Sequence, residues 1–373
     1  MEIREVLPGD RRGAAAFERY PSALYRGHPR WVPPIRGDIR WSMDRRRHPF
    51  YRNGDTGFFL AERDGRVVGR IAVIENRSYN EFRGRRDAFF YYFDADNDPA
   101  VAAGLIDEAA AWARRHGLTR LVGPKGLLPM EGFGVLIEGF EHPPALGVPY
   151  NHPYYQGLLE GVGFSKETDF ISGRLSIEEH FVPEPLLELA DAVAESAGYA
   201  IKTFESRREL RRWIPRIAAT YNRTFTDNWE FWPLSDEEAL AVLGRVAAFA
   251  DPGLVVMLMC HDELVGHLFI IPNVSQALRK TGGRLWPFGW VTLLRERATT
   301  TTVDFLGIGL VPEHRGTGAN AVIYARIGRD APATRFRSAE IVQIDETNAP
   351  ILSNLNAIGA TWHKRHRIYQ MGL

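Results

Sequence analysis

Hydrophobic and polar positions change rhythm most sharply between residues 303 and 327. Residues 303–311 are apolar and β-branched apart from two glycines and Asp304, and Pro312 ends the run, which predicts a buried strand. From Arg315 the chain passes through Gly316, Thr317, Gly318 and Ala319, after which Ala321, Val322, Ile323, Ala325 and Ile327 recur at helical spacing. A strand, a glycine turn and a helix start gather unpaired backbone N–H groups where the helix dipole favours negative charge. Such a turn suits a phosphate.

The pattern elsewhere falls into two halves. The first predicts a strand at 2–6, a helix at 11–26 interrupted near Pro21, and a loop at 28–34. A hairpin follows at 58–62 and 67–74 across Asp64-Gly65, then a strand at 89–93, a helix at 107–115 and a strand at 118–122. The second predicts a helix at 186–197 closed by Gly198, a strand at 199–204, and helices at 208–225 and 235–249, the latter with Ser235 and Glu238 as a capping box. Strands at 254–260 and 264–271 precede an insertion at 276–297 rich in Gly, Trp and Arg. After the opening strand and helix come a strand at 339–344, a helix at 350–357 and a last strand through Tyr369. Gly69, Asn76 and Ser78 recur as Gly266, Asn273 and Ser275 at a constant offset of 197 residues, which points to an internal duplication.

A chain of 373 residues is long enough for two domains, each burying its own core. Lys+Arg and Asp+Glu both number 46, so no net field draws nucleic acid or an anionic membrane to it. The single cysteine, Cys260, builds neither a disulfide framework nor a cysteine metal site. No run reaches membrane-spanning length and the N-terminus lacks a signal-peptide core. The expectation is a cytoplasmic monomer or homodimer with no nucleic-acid or membrane partner and no metal.

The segment Val311-Pro312-Glu313-His314-Arg315-Gly316-Thr317-Gly318 resembles the coenzyme loop of the GNAT acyltransferase superfamily, R-x-x-G-x-G/A. Arg315 and Gly318 fill its first and fourth places, and Asn320 stands sixth where Gly or Ala is usual. Trp31-Val32-Pro33-Pro34, Gly123-Pro124-Lys125 and Pro149-Tyr150-Asn151-His152-Pro153-Tyr154-Tyr155 extend the likeness, over nearly the whole chain, to bacterial GNAT proteins of unassigned substrate. The resemblance implies an α/β fold (an α+β mixed sheet) made of two tandem GNAT-like domains, each a mixed, mostly antiparallel sheet flanked by helices. Their expected extents are 1–176 and 199–373, joined by a linker helix at 177–198.

It also implies that Leu310, Val311, Arg315, Gly316, Thr317, Gly318, Ala319 and Asn320, with Asn348, bind acetyl-CoA or another acyl-CoA. The matching place in the first half, Phe93-Asp94-Ala95-Asp96-Asn97-Asp98-Pro99, carries three carboxylates that would repel a pyrophosphate. These read as helix caps, since a calcium loop would need a glycine and a distal glutamate that are missing. Coenzyme binding is therefore assigned to the second half alone. The implied activity is acyl-CoA-dependent N-acyl transfer to a small-molecule amine. Two alternatives stand: a CoA-binding sensor without turnover, and a GNAT-fold enzyme of O-acyl or other thioester chemistry. The second is supported by Leu355, which occupies the place where the superfamily keeps its tyrosine acid.

Acyl transfer needs a base for the amine, a donor for the acyl carbonyl and an acid for the departing thiolate. Backbone N–H groups of Gly309, Leu310 and Val311 are the expected carbonyl donors. Asp304 reads either as the base or as a structural carboxylate. Tyr324 and Tyr369 read as substitute acids or as packing. Trp229, Phe231 and Trp232 read as an acceptor wall or as a clamp on the core, and Tyr155, with Tyr150 and Tyr154, as pocket lining or core.

Overall fold

The computed structural model describes residues 1–177 and 182–373; of the expected linker, 178–181 lie outside the described residues. The first half runs β1 (Glu2–Glu5), α1 (Arg11–Leu24), α2 (Asp38–Ser42), β2 (Gly54–Arg63), β3 (Arg66–Asn76), α3 (Arg77–Arg83), β4 (Asp87–Ala95), α4 (Pro99–Arg115), β5 (Arg120–Gly123), β6 (Val135–Glu138), α5 (Tyr155–Gly161) and β7 (Ser165–Ser176). The second runs α6 (Glu184–Ala197), β8 (Tyr199–Lys202), α7 (Arg207–Thr224), α8 (Asp236–Phe249), β9 (Val255–Cys260), β10 (Glu263–Pro272), α9 (Ser275–Thr281), α10 (Gly289–Thr299), β11 (Thr302–Leu310), α11 (Ala319–Asp330), β12 (Ser338–Asp345), α12 (Ala349–Ala357) and β13 (Thr361–Gly372).

The chain forms two compact units, the first being 1–170 with 275–295 and 364–373, the second 171–274 with 296–363. A single cut near residue 176 therefore does not describe it. Two local causes are visible within the first unit. The end of β13 pairs antiparallel with β5, and Tyr369 is buried in a core with Phe90, Phe93 and Trp112. The insertion is held by Ser275 Oγ donating to the Pro144 carbonyl (3.3 Å) and by the Arg36 N–H donating to that of Gly283 (2.9 Å).

In the first unit the strand order is β1-β2-β3-β4-β5, antiparallel except for β4 with β5. Asp64 (φ 52) and Gly65 (φ 73) both adopt the left-handed region at the β2–β3 turn, as a tight hairpin matching strand twist requires. In the second unit the order is β8-β9-β10-β11-β12, again with one parallel pair, β11 with β12. Its core gathers Leu258, Val265, Leu268, Phe305, Ile323 and Leu355. The offset repeats are thus equivalent places. Gly69 lies opposite Ala95 and Gly266 opposite Leu310, and the strand pair in each unit carries a bulge a few residues further on. Asn76 caps α3, which starts at the next residue, through the Tyr79 N–H, and α9 starts two residues after Asn273. Each architecture is a mixed, mostly antiparallel sheet flanked by helices.

Candidate functional site

The second unit builds its candidate site where β11 and β12 part. The two strands pair from Thr302 with Ser338 to Phe305 with Ile341 and no further, although β11 continues to Leu310 and β12 to Asp345. Beyond that point Leu306, Gly307 and Ile308 on one strand and Gln343, Ile344 and Asp345 on the other are only half-buried. On its other edge β11 stays paired with β10, and the Val311 N–H donates to the Val265 carbonyl (2.9 Å). Alternation along a strand then turns the Leu310 and Ile308 N–H groups toward the open edge. The Leu310 carbonyl agrees, since it accepts from Arg315 Nε rather than from β10.

The bulge at Leu306 sets which side chains share a face. Ile271 lies opposite Asp304, Phe269 opposite Gly307 and His267 opposite Gly309, so these six positions face the same side, toward α7. At Gly309 an added Cβ would lie 2.2 Å from Thr224 Cγ2, so the end of α7 fills that place. At Gly307 it would meet nothing within 4 Å. An open space therefore lies over Gly307, on the face that also carries Asp304.

Polar groups border this space on one side. Asp304 is fully buried, and Asn273 Nδ2 donates to its Oδ1 (2.8 Å). Glu340 is its register neighbour on β12, and His363 Nε2 lies 3.2 Å from Glu340 Oε1. Aromatic rings border it on the other side. His267 packs against Phe269 (4.9 Å between centroids), Phe225 (5.5 Å) and Tyr221 (6.5 Å), and Tyr221 against Phe231 (6.1 Å). Both ring nitrogens of His267 are buried without a partner, and desolvation lowers its pKa to about 4, so it is neutral. Burial, with the Glu230 carboxylate nearby, raises the Tyr221 pKa. The chamber is thus apolar toward α7 and carboxylate-rich toward β12.

At the far end of β11 the turn into α11 is held from three directions. The Arg315 guanidinium donates to the carbonyls of Leu310 and Thr224 and pairs with Asp227 (2.7 Å). His314 Nδ1 lies 2.6 Å from the Tyr199 hydroxyl, which also meets Thr317 Oγ1 (3.1 Å). Gly318 (φ 85) lies against Val193 of α6, 3.0 Å from where its Cβ would be. Gly318 begins α11 with no side-chain cap; the Ala321 N–H turns back to the Gly318 carbonyl (2.9 Å), and Arg315, Gly316 and Thr317 before it form an exposed turn. The adjacent carboxylate, Glu313, is drawn toward Arg223 (3.4 Å). In the first unit the matching helix start is closed by the chain itself: Asp98 accepts from the Ala100 N–H (2.9 Å) and pairs with Arg63 (2.8 Å).

No family model matches the chain. It is 28% identical over 367 residues to protein YghO of Escherichia coli (strain K12), a match spanning 95% of this chain and 92% of that protein. It is 26% identical over 364 residues to the bacterial ceramide synthase of Caulobacter vibrioides (strain NA1000 / CB15N), spanning 96% and 94%. Among solved structures, the tandem GNAT protein from the clavulanic acid biosynthesis pathway matches with a TM-score of 0.57 at 14% identity, over 100% of this chain and 98% of that one. The chain has a tandem GNAT fold.

Within the tandem GNAT fold the residues singled out in the sequence separate into groups. Leu310, Val311, Arg315, Gly316, Thr317, Gly318, Ala319 and Asn320 do form one turn, but several have partners of their own. Val311 gives its N–H to Val265 and is no carbonyl donor, and Arg315 braces the α7 end instead of lying open. Asn348 caps α12 through the Ile351 N–H (3.4 Å). Tyr324 packs with Val303, Phe305 and Ile341, on the face of the sheet opposite Asp304, so the two catalytic candidates do not meet. Its hydroxyl is buried without a partner and burial raises its pKa. Phe231 and Trp232 are buried, and Trp229 alone of the three is half-exposed. Tyr155 lies in the first unit, where its buried hydroxyl contacts the Tyr25 hydroxyl (2.9 Å) and donates to Asp94 (3.0 Å), as core packing requires. Tyr369 likewise donates to Glu160 (3.2 Å) in that unit. Glu340, His363, His267 and Gly307 were not identified from sequence. The strand carrying Glu340 was legible, but the register that sets it beside Asp304 has no sequence signature.

Proposed function

We propose that the protein is an acyl-CoA-dependent N-acyltransferase whose second unit binds the coenzyme and joins the acyl group to an amine. The observation carrying this is the parting of β11 from β12, beside the uncapped start of α11 and open over Gly307. Acyl-CoA supplies the acyl group as a thioester. The backbone N–H groups of the exposed residues Gly316 and Thr317, and of Asn320 at the uncapped start of α11, suit its diphosphate. Ile308 and Leu310 present N–H groups along the free edge, where an acyl carbonyl needs donors. The carboxylate pair of Asp304 and Glu340 takes the one proton that the amine loses as its nitrogen displaces the CoA thiolate from the acyl carbon, with His363 steadying Glu340 and Asn273 steadying Asp304. With the rings beyond them apolar, the acceptor is an amine carrying a hydrocarbon body.

One relative's name sharpens that choice. A ceramide is the amide of a long-chain amino alcohol, and a substrate of that class matches a chamber with rings on one side and carboxylates on the other. The test is release of free thiol from acyl-CoAs of graded chain length, acetyl-CoA included, against short polyamines and long-chain amino alcohols. The expected result is turnover with the long-chain class, lost in Glu340→Gln. Coenzyme binding by calorimetry without thiol release from any pair would favour the sensor reading, and no coenzyme binding would remove both.

A further inference from the structure

Outside this site, the most unusual surface lies on the insertion at 275–299. Ten large hydrophobic side chains are exposed among the described residues, and five of them, Trp286, Phe288, Trp290, Val291 and Leu294, lie within it. Trp286 is 82% exposed and Phe288 75%, at the tip of the loop between α9 and α10. The helix that follows is inverted for a water-soluble surface. Trp290, Val291, Leu294, Arg295, Ala298 and Thr299 recur at helical spacing and are its exposed stripe, and no residue of α10 is fully buried. Single exposed hydrophobics need no explanation, but a contiguous aromatic and aliphatic patch does.

The charge around the patch indicates its partner. The whole chain is neutral, yet 275–299 carries five basic residues, Arg279, Lys280, Arg284, Arg295 and Arg297, against one acid, Glu296. Lys280, Arg284 and Arg295 are exposed, and Arg36, whose backbone N–H donates to the Gly283 carbonyl, adds another exposed cation beside the loop. Tryptophan and phenylalanine between basic side chains match the boundary of a bilayer, where rings enter the headgroup layer and cations meet lipid phosphates. No described helix is long and apolar enough to cross a membrane, so the contact is with the surface. We propose that the 284–298 segment docks the protein on anionic phospholipid bilayers, with Trp286, Phe288 and the Trp290–Leu294 face inserted and the basic residues against the headgroups. This stands independently of the proposed reaction, because it rests on a different part of the chain.

The experiment is co-sedimentation of the full chain with vesicles of phosphatidylcholine alone or mixed with phosphatidylglycerol, at low and high salt, alongside analytical ultracentrifugation without lipid. The expected result is binding to the phosphatidylglycerol vesicles that weakens with salt. Trp286→Ser combined with Phe288→Ser should weaken it roughly tenfold or more, and Arg284→Glu should weaken it at low salt only. Both substituted aromatics are largely exposed, so far-UV circular dichroism and the urea unfolding midpoint should be unchanged, which separates lost docking from lost folding. Wild-type protein that ignores phosphatidylglycerol vesicles, or a double variant that binds as well as wild type, overturns the proposal. So does a dimer that the double variant abolishes in the absence of vesicle binding, since a second copy would then cover the patch.

Discussion

Gly307 and Gly309 lie two residues apart on the same face of β11, and their surroundings make opposite predictions for the same substitution. Neither has a positive φ, so alanine suits the backbone at both. At Gly309 the new Cβ would sit 2.2 Å from Thr224 Cγ2 and 2.9 Å from the Phe225 ring. Ordinary carbon contacts begin near 3.5 Å, so the end of α7 must retreat by roughly 1.3 Å. Overpacking of this kind costs about 1–3 kcal/mol. At Gly307 the new methyl meets nothing, and alanine also narrows the unfolded ensemble, a gain of about 0.4–1 kcal/mol. Urea unfolding should therefore place Gly309→Ala below wild type and Gly307→Ala at or above it. Activity should respond to Gly307 all the same, because the methyl enters the chamber. Thiol release should fall several-fold in Gly307→Ala and about a hundredfold in Gly307→Leu, the size of effect that an ångström of displacement produces. If Gly307→Ala were as destabilised as Gly309→Ala, there would be no chamber. If Gly307→Leu folded well and turned over normally, the chamber would lie off the reaction path.

Three further outcomes follow from His267, Gly318 and Tyr324. The folded pKa of His267 lies near 4 against 6.5 for the free side chain, so the unfolded chain takes up a proton first as pH falls. Stability is thus full above pH 6.5 and declines toward pH 4 by roughly 3 kcal/mol; His267→Leu should flatten that part of a pH-resolved unfolding series, and an unchanged slope would show another group responsible. Gly318→Ala should cost about 1–2 kcal/mol from its left-handed backbone, with a further contact cost that Val193→Ala relieves; coenzyme affinity by calorimetry should survive in the double variant, because the added methyl points at α6. Tyr324→Phe should raise the unfolding midpoint and keep the thiol-release rate, since the hydroxyl removed is buried without a partner; a hundredfold loss of rate would return this tyrosine to the reaction.

Much of the element order was legible because many of the elements announce themselves locally. Asp64-Gly65 between alternating apolar runs marks a hairpin, Ser235 with Glu238 marks a helix start, and Gly198 marks a helix end, all as the structure has them. The turn at 311–320 was legible for the same reason. α3 was missed, because a short helix following a strand without a break leaves no apolar period to read, and α2, α5, β6 and β7 were missed as well. Residues joined over long separations also stayed hidden. Nothing near Glu340 indicates that it neighbours Asp304, and nothing near Tyr369 indicates that the last strand is packed into the first unit. Periodicity can assign a residue to a face, but it does not say which strand lies alongside.

The two units show how one arrangement is either closed or left open. Arg70 opposite Asp94 in the first unit corresponds to His267 opposite Gly309 in the second. In the first, the Arg70 guanidinium pairs with Asp94 (2.7 Å), donates to the Phe17 carbonyl and lies over the Phe17 ring, while Tyr25 and Tyr155 donate to the same carboxylate. A buried ion pair satisfied on all sides resists being opened, because removing one partner strands the other charge at about 3–5 kcal/mol. In the second, a neutral imidazole replaces the cation and a glycine replaces the carboxylate, so no charge is stranded when the face is exposed to a ligand. At these register positions the first unit is thus held by a satisfied ion pair, whereas in the second Thr224 fills the place over Gly309, and the open space lies over Gly307, one pleat nearer the parting of the strands.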